Sequence, residues 1–347
     1  MSTPAQQLVT TPPATPPFDI MRAAFVELQV TDLAESEHFY AELLGMIVSA
    51  RSDDAVFLRG WEERQHHSLI LRQSVPTHPA TASRLGFRVR SERDLDLLAG
   101  YFETDHRHTR WIQAGSDPGM GRSLRVFDEF GYPLEFFHTV EQFETQHQRF
   151  DLHRGAPLLR FDHLNLHAPR VEDTLRFWLS LGFRCSEYIS TDGENERITG
   201  AWMLRKPTVH DVALTAGTGP RLHHFAYWIA EPAGVLRACD QLAGGYRSEV
   251  IERGPGRHGV SNAFFVYLRD PDGHRIELYS CDYYTGDPDH KPLRWSVSDP
   301  RCRSFWGARA PDSWYDESSL LLGPDGEPVA TEPANVDERA QRSEVLA

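Results

Sequence analysis

The sequence predicts an α+β fold of four βαβββ modules, paired into two domains of like architecture and followed by a C-terminal extension. Three observations predict it: an internal repeat, a hydrophobic period that switches from strand to helix within each copy, and matching turn-and-strand endings. The segment FVELQVTDLAESEHFYAELLGM (25–46) recurs as FDHLNLHAPRVEDTLRFWLSLGF (161–183). Each copy runs as an alternating strand, a short polar break, an amphipathic helix and a Leu-Gly close suited to a helix C-terminus. The helical phases agree, with Phe39, Tyr40, Leu43 and Leu44 in one copy and Phe177, Trp178 and Leu181 in the other. Shorter copies of the same start occur at RLGFRV (84–89) and RLHHFAYWI (221–229). The endings DEFGYPLEFF (128–137) and DPDGHRIELY (270–279) align Glu135 with Glu277.

These copies place the modules at about 23–73, 84–140, 159–216 and 220–281. Pairing them two by two gives an N-terminal domain over 21–145 and a C-terminal domain over 155–281. Residues 282–325, rich in Trp, Tyr and Arg, form the extension, expected to act as a lid. Residues 1–20 contain TTPPATPP and read as a Pro-rich arm with no core-forming pattern. Residues 326–347 are acidic, nearly free of large apolar groups, and expected to be disordered.

At 347 residues the chain is long enough for two ordinary domains, and 40% hydrophobic with 25% charged residues is a globular composition. A formal net charge of -14 argues against nucleic acid and anionic membranes as partners, since both reward clustered Lys and Arg. The four cysteines, Cys185, Cys239, Cys281 and Cys302, form no C-x-x-C pair. They read as reduced thiols, and with no signal-peptide layout the chain is expected in the cytoplasm.

The segment 251–284 carries the densest chemistry. Its Asp270-Pro271-Asp272-Gly273 turn has Pro and Gly where a type I reversal favours them. On the strand that follows, Arg275, Glu277 and Tyr279 share one face while Ile276 and Leu278 share the other. A carboxylate held among such neighbours needs a partner, and a metal ion is a good one. His163 and His224 lie on the first strands of modules three and four, in positions that the pairing of modules brings face to face. With Glu277 they make a two-His, one-carboxylate set that leaves coordination positions open and suits non-haem Fe(II), with Mn(II) chemically plausible. One His among 17 is weak evidence, and the weight lies in the equivalence of the two. In the N-terminal domain the repeat puts Glu27, Phe87 and Glu135 at the corresponding places, so that domain is expected to be scaffold without metal.

Gly256-Arg257-His258, Val266-Tyr267, Asp270-Pro271-Asp272-Gly273 and Glu277 together resemble the pattern of the type I extradiol ring-cleaving dioxygenases of the vicinal oxygen chelate superfamily. The likeness spans about residues 20–320 and is nearest to the branch acting on 3,4-dihydroxyphenylacetate, through FDH-x-N, AWMLRK-x-TVHD, GPR-x-HH and CDYYTGDP. It implies two vicinal-oxygen-chelate domains and a metal held by His163, His224 and Glu277. It further implies catalytic roles for His210, His258 and Tyr267, and a substrate pocket lined by Asn165, Trp202, Arg253, Arg303 and Trp314. The implied reaction is extradiol cleavage of a catechol by dioxygen at Fe(II) or Mn(II), by a homotetramer serving aromatic catabolism. The alternatives are cleavage of another catechol, isomerase or glyoxalase-type lyase chemistry, and a metal-free ligand-binding protein of the same fold. The last three lack a use for the His210, His258 and Tyr267 set or for the metal triad.

Overall fold

All four modules are present in the computed structural model, which describes residues 3–10, 15–74, 80–104 and 107–336. The first comprises β1 (Ile20–Val30), α2 (Leu33–Glu37, continuing as a π-helical turn His38–Leu43), β2 (Ile47–Arg51), β3 (Ala55–Arg59) and β4 (Leu69–Gln73). The second comprises β5 (Thr81–Val89), α3 (Glu92–Thr104), β6 (His108–Ile112), β7 (Ser123–Phe127) and β8 (Pro133–Phe137). The third is β9 (Arg160–Ala168), α4 (Val171–Ser180), β10 (Arg184–Ser190), β11 (Ile198–Leu204) and β12 (Val212–Ala216). The fourth is β13 (Arg221–Trp228), α5 (Pro232–Gly244), β14 (Ile251–Arg257), β15 (Phe264–Arg269) and β16 (Arg275–Ser280). A further helix, α1 (Pro4–Thr10), precedes them, and β17 (Leu293–Ser296), α6 (Ser313–Asp316) and β18 (Leu320–Leu321) follow.

Modules one and two share a sheet in the order β2-β3-β4-β1-β5-β8-β7-β6, with β18 added parallel to β5. Modules three and four share a second, β14-β15-β16-β13-β9-β12-β11-β10, with β17 added parallel to β10. Each helix packs its apolar stripe on a sheet, as its periodicity dictates. Asp32 starts α2 by accepting from the backbone of Ala34 and Glu35 at 3.0 Å. The Leu-Gly closes end at Gly45 and Gly182, at φ +79° and +86°. A Cβ on Gly45 would also strike the Arg154 carbonyl.

The two halves are locked together reciprocally. Tyr40 from module one packs on Phe225 of module four at 6.4 Å, and Trp178 from module three packs on Phe87 of module two at 5.2 Å. The turns before β8 and β16 repeat this symmetry. Asp128 accepts from Phe130 and Tyr132 backbone N–H groups, and Asp270 accepts from those of Asp272 and His274. Tyr132 then donates to the His167 carbonyl at 2.8 Å, while His274 Nε2 bonds the Gln29 carbonyl at 3.0 Å.

Strand register corrects one sequence expectation. Glu277 pairs with Ala226, and Ala226 with His163; in the N-terminal half Glu135 pairs with Gly86, and Gly86 with Phe25. Phe25, Arg84 and Glu135 therefore stand where His163, His224 and Glu277 stand, rather than Glu27, Phe87 and Glu135. The linear alignment is therefore three residues out of step in β5, where it is anchored on the shared Arg-Leu start, and two in β1. Phe87 faces the helix-packed core with Trp178 and Phe183. Arg84, 3% exposed, is ringed instead by Glu27, Asp117 at 2.5 Å and Glu135 at 3.5 Å. A guanidinium thus sits where the other half gathers its candidate ligands.

The ends also differ from expectation. Where the Pro-rich arm predicts no packing, α1 buries Ala5 and Val9 one turn apart. Pro4 opens that helix where a missing N–H costs nothing. Residues after 326 find a backbone partner. Gly219 and Glu332 exchange bonds of 3.0 and 2.7 Å, and Asn335 N–H donates to the Pro169 carbonyl at 2.9 Å. Residues 337–347 of the expected disordered tail lie outside the described residues, as do residues 1, 2 and 11–14 of the arm. Among the described residues no helix is long and apolar enough to cross a membrane.

Candidate metal centre

Sheet order puts β16, β13 and β9 side by side, so Glu277, His224 and His163 project from three adjacent strands. Their ligand atoms lie within 4.8 Å of one another, and their exposures are 2%, 3% and 1%. His163 Nε2 stands 3.0 Å and His224 Nε2 3.2 Å from the same oxygen, Glu277 Oε2. Glu277 Oε1 is buried without a hydrogen-bond partner, with His258 Nε2 3.7 Å away. Two imidazole nitrogens converging on a buried, under-satisfied carboxylate make a cluster that a divalent cation fits.

Each imidazole is oriented by the residue preceding it in the chain. His163 Nδ1 bonds Asp162 Oδ2 at 2.8 Å, and His224 Nδ1 meets His223 Nδ1 at 2.7 Å. Burial lowers the basicity of His163, but hydrogen bonds to Asp162 and Glu277 outweigh it and raise its pKa. His224 lacks a carboxylate behind it, and burial drives it down to about 4 against the pull of Glu277. Burial would raise the Glu277 carboxyl, yet the imidazoles of His163, His224 and His258 around it hold it well below the ordinary carboxylate range.

All eleven residues singled out in the sequence line one cavity: His163, His224, Glu277, His210, His258, Tyr267, Asn165, Trp202, Arg253, Arg303 and Trp314. His210, from the turn before β12, faces His163 at 3.8 Å between ring centroids. Burial keeps it neutral, far below its usual pKa, and its Nδ1 has no hydrogen-bond partner. His258 stacks on Phe265 at 3.8 Å, and its Nε2 meets the Tyr267 hydroxyl at 2.8 Å. Burial and the nearby Glu277 push Tyr267 well above its ordinary pKa, so it stays a phenol. Arg253 lies 4.4 Å over Trp314 and donates to Ser304 Oγ at 2.7 Å. Asn165 accepts from Thr215 at 2.9 Å.

Three lining residues, Val260, Ser261 and Tyr279, escape the sequence reading. Tyr279 shares its strand face with Glu277, a signal that was sufficient to find it. Ser261 sits at φ +60° in the turn after His258, which no local pattern announces. A second cavity of ≈ 270 Å³ shares Asn165, Arg303 and Trp314 with the first.

Residues 22–136 and 160–278 match the family model described as the Glyoxalase/Bleomycin resistance protein/Dioxygenase superfamily, and the chain belongs to that superfamily. Within it, the protein is an extradiol ring-cleaving catechol dioxygenase. A manganese-dependent 2,3-dihydroxybiphenyl 1,2-dioxygenase from Geobacillus genomosp. 3 is 32% identical, over 83% of this chain and 94% of the relative. A metapyrocatechase from Geobacillus stearothermophilus is also 32% identical, over 86% and 94%. Among solved structures, a homoprotocatechuate 2,3-dioxygenase variant from B. fuscum is 42% identical with a TM-score of 0.89, covering 94% of this chain and 89% of its own. The homoprotocatechuate 2,3-dioxygenase of Arthrobacter globiformis is 43% identical with a TM-score of 0.88, covering 92% and 98%.

Proposed function

We propose that the protein cleaves 3,4-dihydroxyphenylacetate with dioxygen, giving 5-carboxymethyl-2-hydroxymuconate semialdehyde, with His163, His224 and Glu277 holding Fe(II) or Mn(II). The observation that carries the substrate class is the cationic pair Arg253 and Arg303 on the wall of the metal-side cavity. Arg253 is 3% exposed, and so buried a guanidinium suits a substrate carboxylate. The likeness to two homoprotocatechuate dioxygenases supports the same substrate, whereas the names of the curated relatives favour other catechols.

When bound, the metal supplies Lewis acidity that favours the catecholate and a path for its electrons to dioxygen. The chain's own residues do the rest. His210, buried and neutral, is placed to accept or return a proton beside the metal. Tyr267 O–H and His258 are placed to hold a substrate oxygen and to steady negative charge that develops on it. Asn165, Trp202 and Trp314 wall the ring in and exclude water, and the adjoining cavity provides a way in past Arg303. The same reading carries the expectation of a cytoplasmic homotetramer.

The test is oxygen uptake by Fe(II)-reconstituted protein against a panel of catechols, with the yellow ring-opened product followed in the near-visible. Arg303→Ala is expected to raise KM for 3,4-dihydroxyphenylacetate about 10- to 150-fold, the worth of a charged hydrogen bond of about 1.5–3 kcal/mol. KM for unsubstituted catechol is expected to stay within a factor of a few. An unchanged preference between the two would overturn the carboxylate assignment, and no uptake with any catechol would overturn the proposed activity.

A further inference from the structure

We infer that His223 is a positioning residue that fixes the ring tautomer of His224, linking the C-terminal extension to the candidate metal centre through one chain of hydrogen bonds. The inference rests on His224 being a ligand, as proposed above, and concerns what makes it one. His224 turns Nε2 toward Glu277 at 3.2 Å, and its Nδ1 meets His223 Nδ1 at 2.7 Å. Two nitrogens that close share one proton. On its far side His223 Nε2 lies 3.0 Å from the Trp314 carbonyl oxygen, which only accepts. His223 Nε2 therefore carries a proton, which leaves Nδ1 of the neutral ring as the acceptor. The shared proton then belongs to His224 Nδ1, so His224 Nε2 presents a lone pair to the metal. The order of donors runs from His224 N–H to His223, and from His223 N–H to the Trp314 backbone.

The anchor of this chain is well held. Trp314 sits on α6, with Arg253 at 4.4 Å and Arg275 at 5.0 Å over its ring and Tyr267 edge-on at 4.4 Å. Arg275 reaches across, donating to the His223 carbonyl at 3.0 Å and to the Ser313 carbonyl at 3.1 Å. His223 itself is 2% exposed. His163 has a carboxylate behind it and is oriented without the extension. The two imidazoles thus differ in kind: one is buttressed within its own strand, the other through the extension.

The experiment uses the full-length apoprotein loaded with Co(II), in which ring N–H protons of ligand imidazoles give shifted, exchangeable proton NMR signals. Wild type is expected to show two, from His163 and His224. His223→Leu and His223→Gln offer no acceptor at the Nδ1 position. Each is expected to lose the His224 signal to rapid exchange, keep the His163 signal and bind Co(II) roughly 10–100-fold more weakly. His223→Asn keeps an oxygen acceptor there and is expected to retain both signals and near-wild-type affinity. A purely structural role would lower stability in all three without removing one signal selectively. Folded Leu or Gln variants that keep both signals and full affinity would overturn the inference. Wild type that takes up no Co(II) would overturn the metal reading, and this inference with it.

Discussion

Arg84→Met tests the idea that the N-terminal half carries its own cation. The substitution keeps much of the stem and deletes the charge from a site that is 3% exposed. Three carboxylates lose a partner: Glu27, Asp117 and Glu135. Removing one member of a buried ion pair costs about 3–5 kcal/mol. Here each carboxylate retains another arginine. Arg72 stays 2.9 Å from Glu27 and 3.0 Å from Asp117, and Arg125 stays 2.8 Å from Glu135. The loss therefore falls at the lower end, about 3 kcal/mol, which at a urea slope of about 3 kcal/mol per M moves the midpoint down by about 1 M. Burial raises the Glu27 carboxyl, but Arg84, by charge and hydrogen bond, and Arg72 depress it far below its usual 4.5. A depressed carboxyl adds stability that is full above the ordinary value and is lost as pH falls through the folded one. The gap between wild type and variant is thus full at pH 7 and narrows as pH drops below about 4.5. Urea melts at pH 7, 5 and 3 measure it. A midpoint shift under about 0.3 M at pH 7, or a gap unchanged at pH 3, would refute the reasoning.

Two further outcomes concern the candidate centre. His224→Ala is expected to abolish metal uptake, whereas Glu135→Gln leaves one ion per chain as in wild type; elemental analysis of both proteins decides it. His210→Phe is expected to keep its metal while kcat falls about 10²–10⁴-fold, the usual worth of a positioned acid–base group. Loss of metal together with rate would mean that His210 serves the structure of the site instead.

Much of this architecture was legible because a repeat announces itself twice. Strand parity put Glu277 on one face and Leu278 on the other, and the structure buries Leu278 in the main apolar core while Glu277 lines the cavity. The match of His163 and His224 across modules found the triad, since equivalent strands in paired modules must lie side by side. Register between the halves was not legible. The shared Arg-Leu start of RLGFRV and RLHHFAYWI set Phe87 against His224 in the alignment, whereas strand pairing sets Arg84, three residues earlier, in that place. The arginine cage was missed for that reason, and with it the likeness of His67 to His210. Each of these histidines lies three residues before the strand position that pairs with its half's first strand, Ile70 with Glu27 and Ala213 with Asn165. β17 and β18 escaped because strands of four and two residues are made by the edge they join rather than by their own sequence. The helix in the Pro-rich arm escaped because its burial depends on a partner far along the chain.

The guanidinium at the heart of the N-terminal half has a meaning beyond that half. Both halves enclose a place that calls for positive charge, and they obtain it from different sources. One cation is synthesised with the polypeptide and is in hand as soon as the chain folds. The other, on the metal-centre reading, arrives from solution, and its binding adds stability only in proportion to its supply. A cell short of the metal would then hold molecules with one finished half and one waiting half. They would be a standing reserve, armed by import of the ion rather than by new synthesis.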